Sequence, residues 1–119
     1  MASEPMNALV QTPRAETIAQ LNDTLRKTGS GGAITVTRGV RMLPGFCPMA
    51  LMGELGAYNH FDPHNDPHGE RDFGDLTLFG EDLLWKIDYY DRTLTYGSDD
   101  PADTKKTQRV LTVMLAGEY

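Results

Sequence analysis

Residues 76–90 read LTLFGEDLLWKIDYY, and their alternation decides the fold. From Leu83 to Tyr90 it places Trp85, Ile87 and Tyr89 on one side of an extended chain. Leu84, Lys86, Asp88 and Tyr90 fall on the other, because successive strand side chains point to opposite faces. Leu76 to Phe79 is a second strand, and Gly80-Glu81 suits a tight turn between the two, with glycine taking the positive φ at the leading position. Thr93 to Tyr96 continues the pattern, so the centre of the chain reads as an antiparallel meander. Trp85, Ile87 and Tyr89 form its expected core face, Lys86 is expected to pair with Asp88 or a loop acid, and Tyr90 is expected outside.

Outward from the meander, Arg109 to Leu115 is rich in β-branched residues and reads as a further strand, with a C-terminal helix as the rival because the run is apolar on both faces. Asp100-Pro101 opens a short turn or loop before it. Towards the N-terminus, Ala33 to Thr37 alternates Ile34 and Val36 with threonines, a short half-buried strand. Thr12-Pro13 is a helix start, since threonine caps exposed amides and proline is tolerated at the first helical position. That helix runs to about Lys27, carries Ile18, Leu21 and Leu25 at helical spacing, and ends at Gly29, Gly31 and Gly32. Arg38 to Pro44 is a connection. Leu51, Leu55 and Tyr58 space a second helix between Phe46 and Tyr58. The expected architecture is α+β: two N-terminal helices packed on a mainly antiparallel sheet of four to five strands. Residues 1–11 lack periodicity and read as a flexible arm, leaving 12–119 as a single domain.

The chain has 119 residues, 39% of them apolar, which suits one core and excludes two full domains. Cys47 is its only cysteine, so an intramolecular disulfide and a cysteine-rich zinc site are excluded. No apolar run approaches a membrane span, and the start MASEPMNALVQTPR lacks the features of a secretory signal. A reducing cytoplasm is the expected location. No P-loop, zinc-protease helix or serine-hydrolase elbow occurs. Asp72-Phe73-Gly74 matches a kinase tripeptide by chance, and His68-Gly69-Glu70 lacks the cysteine pair that a zinc deaminase needs.

Charge is unevenly placed. Net charge is −6, yet Asp62 to Asp103 holds 12 acidic side chains against three basic ones, a local balance of −9. A phosphate backbone is repelled by such a stretch, so direct nucleic-acid binding is not expected. The reading that follows is a binding protein without enzymatic activity and without a cofactor, engaging a basic protein surface. Asp62, Asp66, Glu70, Asp72, Asp99 and Asp100 then stand in for phosphates, and Tyr90 is a rim anchor. A bland solubilising surface accounts for the same charge.

Within this stretch, residues 59–74 read NHFDPHNDPHGERDFG, a long loop without apolar period. Loops of that length in a compact domain are functional or disordered. All three histidines of the chain, His60, His64 and His68, lie in it among carboxylates. The alternative reading is therefore a small metal-dependent hydrolase or nuclease with His64, Asp66, His68 and Asp72 around the ion, imidazole and carboxylate suiting several transition metals. Pro63 and Pro67 forbid a helix that would align the histidines, and an Asx-type turn at Asn65-Asp66-Pro67 is the structural account of the same residues. A homodimer through the aromatic strand is a third reading.

Three segments in order, NDPHGERDFG (Asn65 to Gly74), WKIDYYDRTLTYGSDDPAD (Trp85 to Asp103) and RVLTVMLAGEY (Arg109 to Tyr119), resemble the bacterial family called domain of unknown function 3768, over the chain from about residue 15. Arg71 stands where the family pattern has a histidine, which weakens a metal site using that position. The resemblance implies a small cytoplasmic protein of bacterial chromosomes, plasmids and mobile elements, with no assigned activity. Small acidic proteins from such elements include inhibitors of host defence, and by analogy of habitat and charge the expected partner is a nuclease or CRISPR effector complex.

Overall fold

A computed structural model describes residues 12–119; the arm expected over residues 1–11 lies outside the described residues. Helix α1 spans Pro13–Thr28 and strand β1 Gly32–Val36. Two further helices follow, α2 (Arg38–Arg41) and α3 (Pro48–Ala57). Strands β2 (Phe73–Leu78), β3 (Glu81–Tyr90) and β4 (Gln108–Leu115) complete a four-stranded sheet, and a short 3-10 turn covers Ala116–Glu118.

Local chemistry sets the ends of α1. Thr12 accepts a hydrogen bond from the amide of Ala15 at 3.0 Å, Pro13 opens the first turn, and Gly29 closes the last in the left-handed region at φ 79°. Helix α2 was not expected. Thr37 caps it, turning what reads as a plain connection into one helical turn that buries Val40.

The sheet order is β1-β4-β3-β2. The β2–β3 and β3–β4 pairs are antiparallel, in keeping with a mainly antiparallel sheet, but β1 runs parallel to β4, so the sheet is mixed, and three helices rather than two accompany it. The physical reason lies in β4. Its RVLTVML run is apolar on both faces because it is an inner strand, flanked by β1 and β3. The strand reading of Arg109 to Leu115 holds.

Two turns depart from expectation. The β2–β3 turn is centred on Phe79 and Gly80, at φ 57° and 77°, one residue earlier than Gly80-Glu81. Two central residues at positive φ match the twist of an antiparallel pair. Thr93 to Tyr96 is a turn and not a strand. Asp91 Oδ1 accepts from the amides of Thr93 and Thr95 at 3.1 and 3.0 Å and from the Thr93 hydroxyl at 2.8 Å, which curls the segment back on itself.

The helices cover one face of the sheet. Leu83, Trp85 and Ile87 of β3 with Leu111 and Val113 of β4 pack against Leu25, Val40, Leu51, Leu55 and Tyr58. Gly74 is opposite Trp85 in the register, and a Cβ there would stand 2.5 Å from the indole nitrogen, so only glycine lets β2 pass over the Trp85 ring. On the other face Lys86 pairs with Asp88 at 2.7 Å, as expected, and Tyr90 is half-buried.

Candidate functional site

The apolar stripe of α1 contains polar side chains that the core encloses. Asn22 is 0% exposed, Arg26 2%, and Arg109, reaching in from β4, 2%. Buried polar groups need partners; Asn22 and Arg109 have specific ones, whereas Arg26 Nε has none among the described residues. The Asn22 amide nitrogen donates to the carbonyl of Glu70 at 3.0 Å and to the Tyr89 hydroxyl at 2.8 Å, while its oxygen accepts from Arg109 Nε at 2.8 Å. The amide cannot be flipped, because its NH2 group would then face the Arg109 N–H. Tyr89 donates onward to Glu70 Oε1 at 2.9 Å, and Arg109 Nη2 donates to the carbonyl of Pro101. The Arg109 guanidinium lies 5.2 Å from the centre of the Tyr89 ring. Helix, sheet, acidic loop and the 101 turn meet at this point.

Ionisation follows from the enclosure. Burial, reinforced by the neighbouring acids Asp72 and Glu70, raises the Tyr89 phenol far above its ordinary value, so it stays neutral and remains a donor. Burial also lowers the Arg109 guanidinium from its ordinary value, against an opposing pull from Tyr89 and Glu70. Asp72 is raised from 3.8 to about 6, first by burial and then by the charges of Glu70 and Asp66.

That shift has a sign. A carboxyl that is harder to ionise folded than unfolded lowers stability as pH rises, because the native state keeps protons that the unfolded state has released. The cost is absent well below 3.8, grows through the window up to about 6, and is complete above it. Asp72→Asn is expected to stabilise the protein by about 1–2 kcal/mol near neutral pH, a rise in melting temperature of roughly 5 °C. The gain should shrink as pH falls through that window. Melting curves across the window check it, and a gain independent of pH would contradict the assignment.

The loop between α3 and β2 is fixed along its length. Asp62 Oδ1 accepts from the amides of His64 and Asn65 at 2.8 and 3.1 Å, and Asn65 Oδ1 accepts from the amide of Asp62 at 2.9 Å. Those bonds hold the Asp62 carboxylate below its usual range. Asn65 also donates to the carbonyl of His60 at 2.6 Å. Asp66 Oδ1 accepts from the amide of Arg71 at 3.0 Å, closing a turn in which Arg71 takes φ 54°. The Arg71 side chain then clamps Asp23 of α1, with Nε at 3.0 and 3.1 Å and Nη2 at 2.9 Å from its carboxylate oxygens, and approaches Glu16 at 3.6 Å. Arg71, which weakened the metal reading, is the side chain that ties the loop to α1.

The candidate partner-binding residues divide by this geometry. Asp62 and Asp99 are exposed. Asp66, Glu70 and Asp72 are partly buried; the charges of Glu70 and Asp66 act on Asp72, and those of Asp72 and Glu70 on Tyr89. Asp100 pairs with Arg14 at 3.0 Å and accepts from the amide of Ala102 at 3.2 Å. Tyr90 lies on the far face of the sheet, away from the helices. His64, Asp66, His68 and Asp72 do not converge: among the described residues no group of three or more His, Cys, Asp or Glu stands so as to hold a metal ion. Cys47 is exposed, just before α3. No helix among the described residues is long and apolar enough to cross a membrane.

Asn22, Tyr89 and Arg109 lie outside the residues that the sequence marks as a site. Their signal is faint: Asn22 interrupts the helical stripe between Ile18 and Leu25, and Arg109 heads an apolar strand.

No curated protein and no solved structure matches the chain. A family described as "protein of unknown function", DUF3768, matches residues 36–118. That stretch holds α2, α3, β2, β3, β4 and the acidic loop, and α1, with Asn22 and Arg26, precedes it. With well over half of its length matched, the chain belongs to the DUF3768 family.

Proposed function

We propose that the protein is a binding module whose acidic loop and neighbouring strands engage a basic protein surface, and that it has no catalytic role. The observation that supports this most directly is the fixing of the acidic loop. A segment without helix or strand is held by Asp62, Asn65, Asp66 and Arg71 against α1, so its charges are presented in set positions before any partner arrives. Preorganisation lowers the ordering cost of association, and a negative surface steers a positive one. Asp62 and Asp99, exposed at the surface, are the residues expected to meet basic side chains directly. Glu70 and Asp72 act from behind by adding to the field. The basic partner of this chemistry is a nucleic-acid-binding surface, of the kind found on nucleases and on CRISPR effector complexes. An inhibitor of that type occupies the site in place of a phosphate backbone.

The test is a binding panel of purified nucleases and effector complexes at low and high salt. Affinity for the true partner is expected to fall steeply with ionic strength. In the double variant Asp62→Asn and Asp99→Asn, affinity is expected to drop roughly tenfold and the salt dependence to flatten. Asparagine at position 62 keeps the acceptor that the loop needs, so folding is preserved. Affinity unchanged by both salt and the double variant would overturn the reading.

A further inference from the structure

A cavity of about 310 Å³ opens between the second half of α1, the start of β1 and the chain leading into β4, lined among others by Ser30, Gly31, Arg92, Thr104 and Arg109. In a chain of net charge −6, its lining contains two arginines and no carboxylate. The geometry points to a binding site for a small molecule that carries a phosphate group.

The argument rests on donors that the fold leaves without acceptors. Arg109 is 2% exposed and has no ion-pair partner within 4.0 Å among the described residues. Its Nε and Nη2 donate to Asn22 and Pro101, both neutral acceptors, and its Nη1 has no hydrogen-bond acceptor among the described residues. Buried charges are ordinarily paired, so a guanidinium enclosed this far without a carboxylate contact is suited to an anion. Arg92 is exposed, and one of its nitrogens, Nη1, donates to Gln108 Oε1 at 3.1 Å, which orients the side chain while Nε and Nη2 have no acceptor among the described residues. The hydroxyls of Ser30 and Thr104 likewise make no hydrogen bond to a described residue. Two guanidinium groups and two hydroxyls around one space match the several acceptor oxygens of a phosphate better than the two of a carboxylate.

Size and surroundings define the class further. The volume lies at the lower end of small-molecule sites, so it admits a phosphate with a body the size of a pentose. A nucleic-acid backbone would bring many phosphates against the acidic surface of residues 62–103, whereas a single phosphate meets only the cavity. The inference is independent of the acidic-surface reading, since neither uses the other's residues.

The experiment is a calorimetric titration of the whole chain with inorganic phosphate and with ribose 5-phosphate, with ribose and chloride at matched ionic strength as controls. Two-dimensional NMR of the same samples locates the site. Saturable binding of either phosphate compound is expected, with amide shifts at Gly31, Gly32 and Thr104. A tighter fit for ribose 5-phosphate identifies a phosphate ester as the ligand, and equal affinity identifies the free ion. Arg92→Gln, at an exposed position, is expected to weaken binding roughly tenfold with folding intact. Arg38→Gln, the same charge change on α2, should leave binding unaltered. Absence of saturable binding to both compounds, or equal binding by the Arg92→Gln protein, would overturn the proposal.

Discussion

Replacing Arg26 with alanine is expected to cost about 3–5 kcal/mol, a large part of the ~5–15 kcal/mol that holds a domain of this size folded. Arg26 is buried, and its Nη1 donates to the carbonyls of Leu55 and Tyr58 at 2.8 and 2.9 Å. Both lie at the C-terminal end of α3: the Leu55 carbonyl also accepts from the Tyr58 amide at 3.3 Å, the Tyr58 carbonyl has no other donor among the described residues, and a cation there meets the negative end of the helix. Nη2 donates to Asp23 at 2.9 Å, and the guanidinium lies 5.4 Å from the centre of the Phe61 ring and 5.8 Å from that of Trp85. Alanine would strand the Tyr58 carbonyl, leave that of Leu55 with the Tyr58 amide alone, and open a cavity beside the indole. Arg26→Met separates the two effects, because it refills the volume and still removes the guanidinium donors from the carbonyls. Melting should fall by roughly 15 °C for alanine and by about half as much for methionine. A loss below about 1 kcal/mol for alanine would show that the carbonyls find other donors.

The same residue shows how far the fold can be read from sequence. The ends of α1 were legible because Thr12, Pro13 and Gly29 carry their backbone preferences with them. The core face of β3 was legible because Trp85 and Ile87 alternate with polar neighbours. Arg26 and Asn22 were not. They fall on the buried side of α1 with Ile18 and Leu25, and a pattern of apolar spacing reads such residues as breaks in the stripe. Their burial depends on acceptors at Leu55, Tyr58 and Glu70, brought close only by the fold. The parallel pairing of β1 with β4 was hidden for a related reason. It joins Gly32 to Arg109 across most of the chain, and no local turn announces it. The acidic stretch is plain from composition, but that Glu70 turns inward depends on Asn22 and the Tyr89 hydroxyl, which only the fold brings to it.

Asn22→Ala is expected to be the next most damaging change, at about 3 kcal/mol, because one side chain satisfies three groups at once. Without it the Glu70 carbonyl and Arg109 Nε lose their partners, and Tyr89 keeps only its bond to Glu70 Oε1. Asn22→Asp tests whether charge can substitute for geometry. A carboxylate would pair with Arg109, yet it has no N–H to give to the Glu70 carbonyl or the Tyr89 hydroxyl, and it would stand close to the Glu70 charge. Recovery should therefore be partial. Tyr89→Phe, which removes only the hydroxyl, should cost about 1 kcal/mol, and the double variant with Asn22→Ala should cost less than the sum of the two, since both act through one shared network. Hydrogen exchange supplies a local readout. The amide of Ile87 donates to the carbonyl of Asp72 at 2.9 Å, directly after the residues that Asn22 holds. If Asn22 is the anchor of the acidic loop, exchange in Asn22→Ala should quicken at Arg71 and Ile87 well before the centre of β4 opens. Uniform acceleration across the sheet would mean that Asn22 supports the whole domain and that the loop is held by the Arg71–Asp23 clamp alone.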